Sequence, residues 1–234
     1  MVLLMNRIML ASALFALAAP AHAGERRFSI TSFDRIQVEG PFDVTLSTGR
    51  ASSAVASGSQ QAIDRVSLEV QGRTLRIRPN RSSWGGYPGA DAGPLRIQVS
   101  THELRAAAVS GSGRVMIDRA KGMRFDLSVA GSGSIGIGSI EADNLSVGLM
   151  GSGKVTLAGK AKELLATING AGDLDAARLM ADDAKINSDT AGSVSLAVRR
   201  AVNVTATGQG DTIITGNPAC KVKSLGSGRV VCGS

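Results

Sequence analysis

AVSGSGRVMIDRAKGMRFDLSVAGSGSIGIGSIEADNLSVGLMGSGKVTL, residues 108–157, decides how this chain folds. The triplet Gly-Ser-Gly stands at residues 111–113, 131–133 and 151–153, each twenty residues after the last. Relaxed copies follow as Gly170-Ala171-Gly172, Thr190-Ala191-Gly192, Gly208-Gln209-Gly210 and Gly226-Ser227-Gly228. The last glycines of these units are Gly113, Gly133, Gly153, Gly172, Gly192, Gly210 and Gly228, at intervals of 20, 20, 19, 20, 18 and 18. A period of this length marks one supersecondary unit stacked on its neighbours.

Between the triplets, apolar residues alternate with polar ones. Val115 and Ile117 are followed by Phe125, Leu127 and Val129; Ile135 and Ile137 by Leu145, Val147 and Leu149. Val155 and Leu157 open the next unit, and Val194, Leu196 and Val198 a later one. Alternation with period two gives strands with one dry face and one wet face. Two short strands per unit, with a glycine in the same slot each time, predict an all-β fold, a parallel β-helix-like solenoid of about 20-residue repeats. The glycines suit a tight corner because they tolerate positive φ and allow backbone to approach backbone. The alternative is an antiparallel meander or sandwich in which both bends of each unit are hairpins.

Upstream of the repeats, Ile36 and Val38, then Phe42, Val44 and Leu46, predict two strands joined at Gly40-Pro41. Val66, Leu68 and Val70, the turn Gln71-Gly72-Arg73, then Leu75 and Ile77 predict a hairpin. Residues 47–61 show only weak strand character around Ala54-Val55-Ala56. Residues 80–93 hold Gly85, Gly86, Pro88, Gly89 and Gly93 without periodicity and predict a loop. No stretch keeps a helical period long enough to predict a helix.

The first 23 residues are set apart from the fold. Arg7 is their only charge, residues 8–19 are apolar, and Ala21-His22-Ala23 is a small-x-small cleavage site. This is a secretory signal peptide, too short in its apolar core to span a membrane. Met5 is an alternative start to Met1. The mature chain, residues 24–234, is expected to be one exported repeat domain without a transmembrane segment, periplasmic or extracellular. Removing Arg7 from the 26 basic side chains leaves 25 against 19 acidic, a net charge of +6. Arg26-Arg27 and Arg199-Arg200 are the only adjacent basic pairs. A nucleic-acid reader concentrates its basic residues, so no nucleic-acid partner is expected. Cys220 and Cys232, in the last units, are expected to close as a disulfide in an oxidising compartment, with two buried thiols as the alternative.

With those residues in view, the chain resembles the GIN-domain family, also called the domain-of-unknown-function 2807 group or autotransporter-adhesin head domain. The resemblance rests on Ile36-Gln37-Val38-Glu39-Gly40-Pro41-Phe42-Asp43-Val44, on Leu75-Arg76-Ile77, and on the repeated triplets. It extends to the closing Pro218-Ala219-Cys220 and Gly226-Ser227-Gly228-Arg229-Val230-Val231-Cys232-Gly233. It implies an exported bacterial protein with a right-handed β-helix-like fold, adhesive by name, and brings no catalytic residues.

The chemistry-bearing motifs are weak. Gly131-Ser132-Gly133-Ser134-Ile135-Gly136 fits a dinucleotide fingerprint, but a strand rather than a helix follows. Residues 148–154 fit a phosphate loop, yet Val155 stands where Ser or Thr would hold magnesium. Gly170-Ala171-Gly172-Asp173 and Gly208-Gln209-Gly210-Asp211 echo calcium-roll turns at twice the required spacing. His102 is the only mature histidine and is expected at a strand end, facing solvent. Asp118, Asp126, Glu141, Asp143, Asp173, Asp175, Asp182 and Asp183 are the carboxylates a β-helix enzyme would draw on. Asp182 and Asp183, adjacent on a strand, are expected to point to opposite faces. The expectation is therefore no cofactor, no metal and no catalytic site. Trp84 and Tyr87, the only Trp and Tyr, sit on the Gly-rich loop and suit stacking on a sugar or a protein. Their alternative role is to cover an open end of the stack. The expected function is a non-catalytic envelope or surface module binding an unidentified polymer, glycan or protein. The second reading is an enzyme acting on an anionic polysaccharide.

Overall fold

The computed structural model describes residues 24–80 and 93–233. The chain opens with β1 (Gly24–Phe28), β2 (Arg35–Glu39), β3 (Asp43–Thr48) and β4 (Ser53–Gly58). Helix α1 (Gln60–Asp64) precedes β5 (Val66–Gln71), β6 (Thr74–Pro79), β7 (Arg96–Thr101) and β8 (Ala106–Gly111). The repeats follow as β9 (Arg114–Gly131), β10 (Ser134–Gly151), β11 (Lys154–Gly170), β12 (Asp173–Thr190) and β13 (Val194–Ala206). The chain ends with β14 (Thr212–Thr215), β15 (Ala219–Ser224) and β16 (Val230–Cys232).

β9 to β13 are parallel and in register, one above another, in a β-solenoid of about six turns. The stacked-coil expectation holds and the meander falls. Inward rows run the length of the stack. Phe125, Leu145, Leu164, Ala184 and Val202 form one, and Val115, Ile135, Val155, Leu174 and Val194 another, all buried. Burying one such aliphatic side chain stabilises by roughly 1.5–3 kcal/mol. No single coil has an interior, so that gain exists only in the stack.

Each coil has three sides rather than the two short strands read from the sequence. In β10, Ile135 and Ile137 point inward, then Ile140 and Ala142, then Leu145, Val147 and Leu149. The inward parity changes where two neighbouring residues both face out, at Gly138-Ser139 and at Asp143-Asn144. Each change is a corner that the strand rounds without breaking. The middle side is short and carries small residues such as Ala142, Ala161 and Ala181, so its alternation is hidden in the sequence.

The third corner is the glycine triplet, and its two glycines do different work. The first of each pair has the left-handed backbone: Gly111, Gly131, Gly151 and Gly170 have φ of 101°, 108°, 112° and 115°. The last is required by close approach. A Cβ on Gly133 would lie 2.7 Å from the Gly113 carbonyl oxygen, and one on Gly153 2.4 Å from that of Gly133. The column continues through Gly172, Gly192, Gly210 and Gly228, each against the carbonyl of the coil before. Backbone bonds tie it together, as Ser132 N–H donates to Gly111 O and Ser152 N–H to Gly131 O, both at 3.0 Å.

The first half of the chain builds the opposite end. β2 and β3 lie on different sides of one coil, joined at the Gly40-Pro41 corner, and pair in parallel with β8 and β9. β6 and β7 form a further coil on top, pairing in parallel with β2 and β3. β5 pairs with β6 as the expected hairpin. The weak signal around Ala54-Val55-Ala56 is a full strand, β4, antiparallel to β7, with β1 antiparallel to β4 at the edge. Against the expectation of no helix, α1 forms. Ser59 caps it by accepting from Ala62 N–H at 3.1 Å, and Ala62 and Ile63 are buried. One turn is too short to leave a period in the sequence, and burial of Ile63 rather than propensity holds it.

Candidate functional site: an axial groove on one side of the stack

The expected site residues Trp84 and Tyr87, and the signal peptide, lie outside the described residues. Cys220 and Cys232 form a disulfide. Cys220 stacks on Val202 and Cys232 on Ile214, so they occupy inward slots of two successive coils at the end of the stack. His102 follows β7 and is exposed; its carbonyl accepts from Gly49 N–H. Strand β10 runs from Ser134 through the last fingerprint glycine, Gly136, and β11 begins at Lys154, the last residue of the phosphate-loop match. Both motifs are a glycine corner with the adjoining strand, and no helix follows either.

Six of the eight carboxylates join neighbouring coils, while Asp126 and Asp175 bond within their own strands. Asp118 accepts from Thr48 N–H at 3.0 Å, and Asp173 from Ser193 N–H at 2.7 Å and its hydroxyl at 2.9 Å. Glu141 pairs with Lys121 at 3.1 Å, Asp126 with Arg124 at 3.1 Å, and Asp143 with Lys162 at 2.8 Å. Asp182 pairs with Arg199 and Asp183 with Arg200, while Asp175 faces the Ala177 amide at 3.5 Å. Asp211, at the other calcium-like turn, accepts from Arg229 N–H at 3.0 Å. The expectation for Asp182 and Asp183 is corrected. Both face outward, because they form a corner between the buried Ala181 and Ala184. Asp143, Lys162, Asp182 and Arg199 make a ladder of alternating sign over four coils. The hydrogen bond and charge of Asp143, with the more distant Asp182, hold the Lys162 ammonium above the usual lysine value. Among the described residues, no group of three or more His, Cys, Asp and Glu is placed to hold a metal. No helix among them is long and apolar enough to cross a membrane.

Beside this ladder runs an open groove of about 550 Å³. One wall is the row Arg124, Asn144, Glu163 and Asp183; the other is Ser146, Leu165, Lys185 and Asn203. Between them the inward-facing Leu145, Leu164 and Ala184 leave only backbone as a floor. The walls come from equivalent slots of successive repeats, so the groove runs along the stack axis. These positions carry different residue types in each repeat, and no sequence motif marks them. They become visible only when outward slots are compared across coils in register.

A family model described as putative auto-transporter adhesin, head GIN domain, matches residues 32–218. The chain belongs to that family. Its fold is similar to a crystal structure of a putative adhesin from Bacteroides fragilis, with a TM-score of 0.82 at 18% identity, covering 92% of this chain and 98% of that one. It is similar also to a putative lipid binding protein from Parabacteroides distasonis, with a TM-score of 0.72 at 22% identity over 92% and 98% of the two chains. A putative adhesin from Parabacteroides merdae aligns with a TM-score of 0.67 at 17% identity over 92% and 97%. At these identities the likeness is one of fold. No match is found among curated proteins.

Proposed function

We propose that the mature chain is an exported, adhesin-like, non-catalytic module of the bacterial envelope that binds a polymer or protein along its sides. The observation that carries this is the use made of the carboxylates. Those that could serve as an acid–base pair are engaged with Arg, Lys, hydroxyl or amide partners, most of them on a neighbouring coil. An acid–base pair needs two carboxyls across a substrate with their protonation set apart by environment. What the stack offers instead is long sides with regularly spaced polar groups, an arrangement suited to contact over length. The family match to adhesin heads and the fold likeness to adhesin structures support the same reading.

The test is retention of purified residues 24–234 on envelope extracts and glycan arrays, with the flow-through assayed for cleaved polysaccharide. Retention without cleavage is expected. Turnover of an anionic polysaccharide would replace this reading with the enzymatic one, and no retention on any surface would remove it.

A further inference from the structure

We infer that the axial groove is a binding site for a neutral, linear polysaccharide lying along the stack, one sugar unit to a coil. This rests on the binding-module reading and names the ligand class and the residues.

The first observation is unspent hydrogen-bonding capacity. Among the described residues, the side chains of Asn144, Glu163, Lys185 and Asn203 make no hydrogen bond or ion pair within the protein. One row away the charged side chains are joined into the coil-to-coil ladder. Side-chain amides present a donor and an acceptor in one plane, and a free carboxylate and ammonium add an acceptor and three donors. Neighbouring hydroxyls of a sugar ring, each donor and acceptor, are met by such a set. The second observation is Leu165, 44% exposed in the middle of a polar wall. Its register neighbours there are Ser146 and Lys185. A pyranose has an apolar C–H face beside its hydroxyl edge, and an isolated aliphatic side chain among hydrogen-bonding groups matches both.

Charge decides the class. Glu163 and Lys185 are free and opposite in sign, Arg124 is held by Asp126 and Asp183 by Arg200. The groove has no single-sign field, which a nucleic acid or acidic polymer would require. Spacing decides the direction. Strands of a sheet lie about 4.8 Å apart, close to the length of a sugar unit in an extended chain, and five strands span roughly 20 Å. A polymer along the axis meets equivalent slots at each step, and one lying across the coils does not.

The probe is a panel of linear neutral oligosaccharides of one to six units: β-1,4-glucan, β-1,4-mannan, α-1,4-glucan and chitin series. It is titrated into isotopically labelled residues 24–234, with polygalacturonate as the anionic comparison. At least one neutral series is expected to shift the amide resonances of residues 144–146, 163–165, 183–185 and 203. Affinity should rise with length up to about five units and then level off. The double variant Asn144→Ala, Asn203→Ala should bind at least about tenfold more weakly, from the loss of two hydrogen-bonding amides. Lys121→Ala, which breaks the Glu141 pair outside the groove, should bind as the parent does. A panel that leaves these resonances unmoved, or a double variant that binds unchanged, overturns the assignment. If envelope extracts retain the protein while the groove stays silent, the groove fails alone. If neither binds, the binding-module reading fails with it.

Discussion

The two ends of the stack are closed by different means. At the N-terminal end the repeat gives way to other structure: α1 seats Ile63 over the core at 1% exposure, and antiparallel β4 and β5 flank it. At the C-terminal end the repeat thins until β15 has no buried residue, with Val222 42% and Leu225 65% exposed. There the last inward slots are filled by Cys220 and Cys232 and joined covalently. Coils in between need neither device, since each is covered above and below. A stack therefore resists change most in its middle, where a fault has neighbours on both sides, and can be opened locally at its ends.

That contrast is broken or sharpened first at a glycine corner. Gly153→Ala places a Cβ 2.4 Å from the Gly133 carbonyl oxygen and 2.7 Å from Val129 Cγ1, with backbone that cannot turn away. A loss of about 3 kcal/mol is expected, at the upper end of overpacking costs. Gly49→Ala is the control. Its φ is 76° and nothing lies within 4 Å of the added atom, so only backbone strain applies, about 1 kcal/mol. Urea midpoints of the two variants measure this. Equal losses would mean that the corners are held by conformation alone and that coil-to-coil approach is not what the glycines permit.

The ends come next. Ile63→Ala removes a buried side chain whose surroundings are stack on one side and one helical turn on the other. A loss of about 2–3 kcal/mol is expected, toward the low end for Ile→Ala because a short helix can settle into the space. Cys220→Ser with Cys232→Ser opens a loop of separation 12 and costs about 2–3 kcal/mol in the chain-entropy model. Global unfolding is not the informative reading here. Amide exchange should accelerate in β15 and β16 for the cysteine variant and in α1, β4 and β5 for the Ile63 variant, with β10 and β11 unchanged in both. Exchange that spreads evenly through the stack in either case would deny that the ends open locally.

The sequence carries the repeating part of this fold because one residue type, glycine, recurs where the backbone geometry leaves no substitute. Inward Val, Ile and Leu then mark two sides of each coil. What it hides has physical causes. The third side is buried behind Ala142, Ala161 and Ala181, too small to stand out from their polar neighbours. The interval of 19 between Gly153 and Gly172 is absorbed at a corner, where the register slips between Ile137 and Ile140 and Gly159, at φ 125°, sits against Ile140. The N-terminal cap is made of local choices, such as the Ser59 cap and Ile63, that follow no period. The groove was least legible. Its members are unrelated residue types that share a slot, and which outward slots border a concavity depends on corner angles that no single repeat encodes.

The smallest expected effect lies on the outer ladder. Lys162 is exposed, and Asp143 holds its ammonium above the ordinary lysine value. A lysine whose value is raised by folding adds stability that is complete below its unfolded value and is lost as pH rises through the folded one. The ladder should thus contribute nothing that varies near neutral pH, and should weaken only in the alkaline range. Asp143→Asn is expected to return the Lys162 titration, followed through its side-chain resonances, toward the ordinary lysine value. Added salt should move the parent the same way, since exposed pairs are screened. The ladder runs over β10 to β13, where the hydrophobic rows are already complete. If parent and variant titrate alike, the ion pairs have no part in joining these coils, and the middle of the stack is held by its dry rows and glycine corners alone.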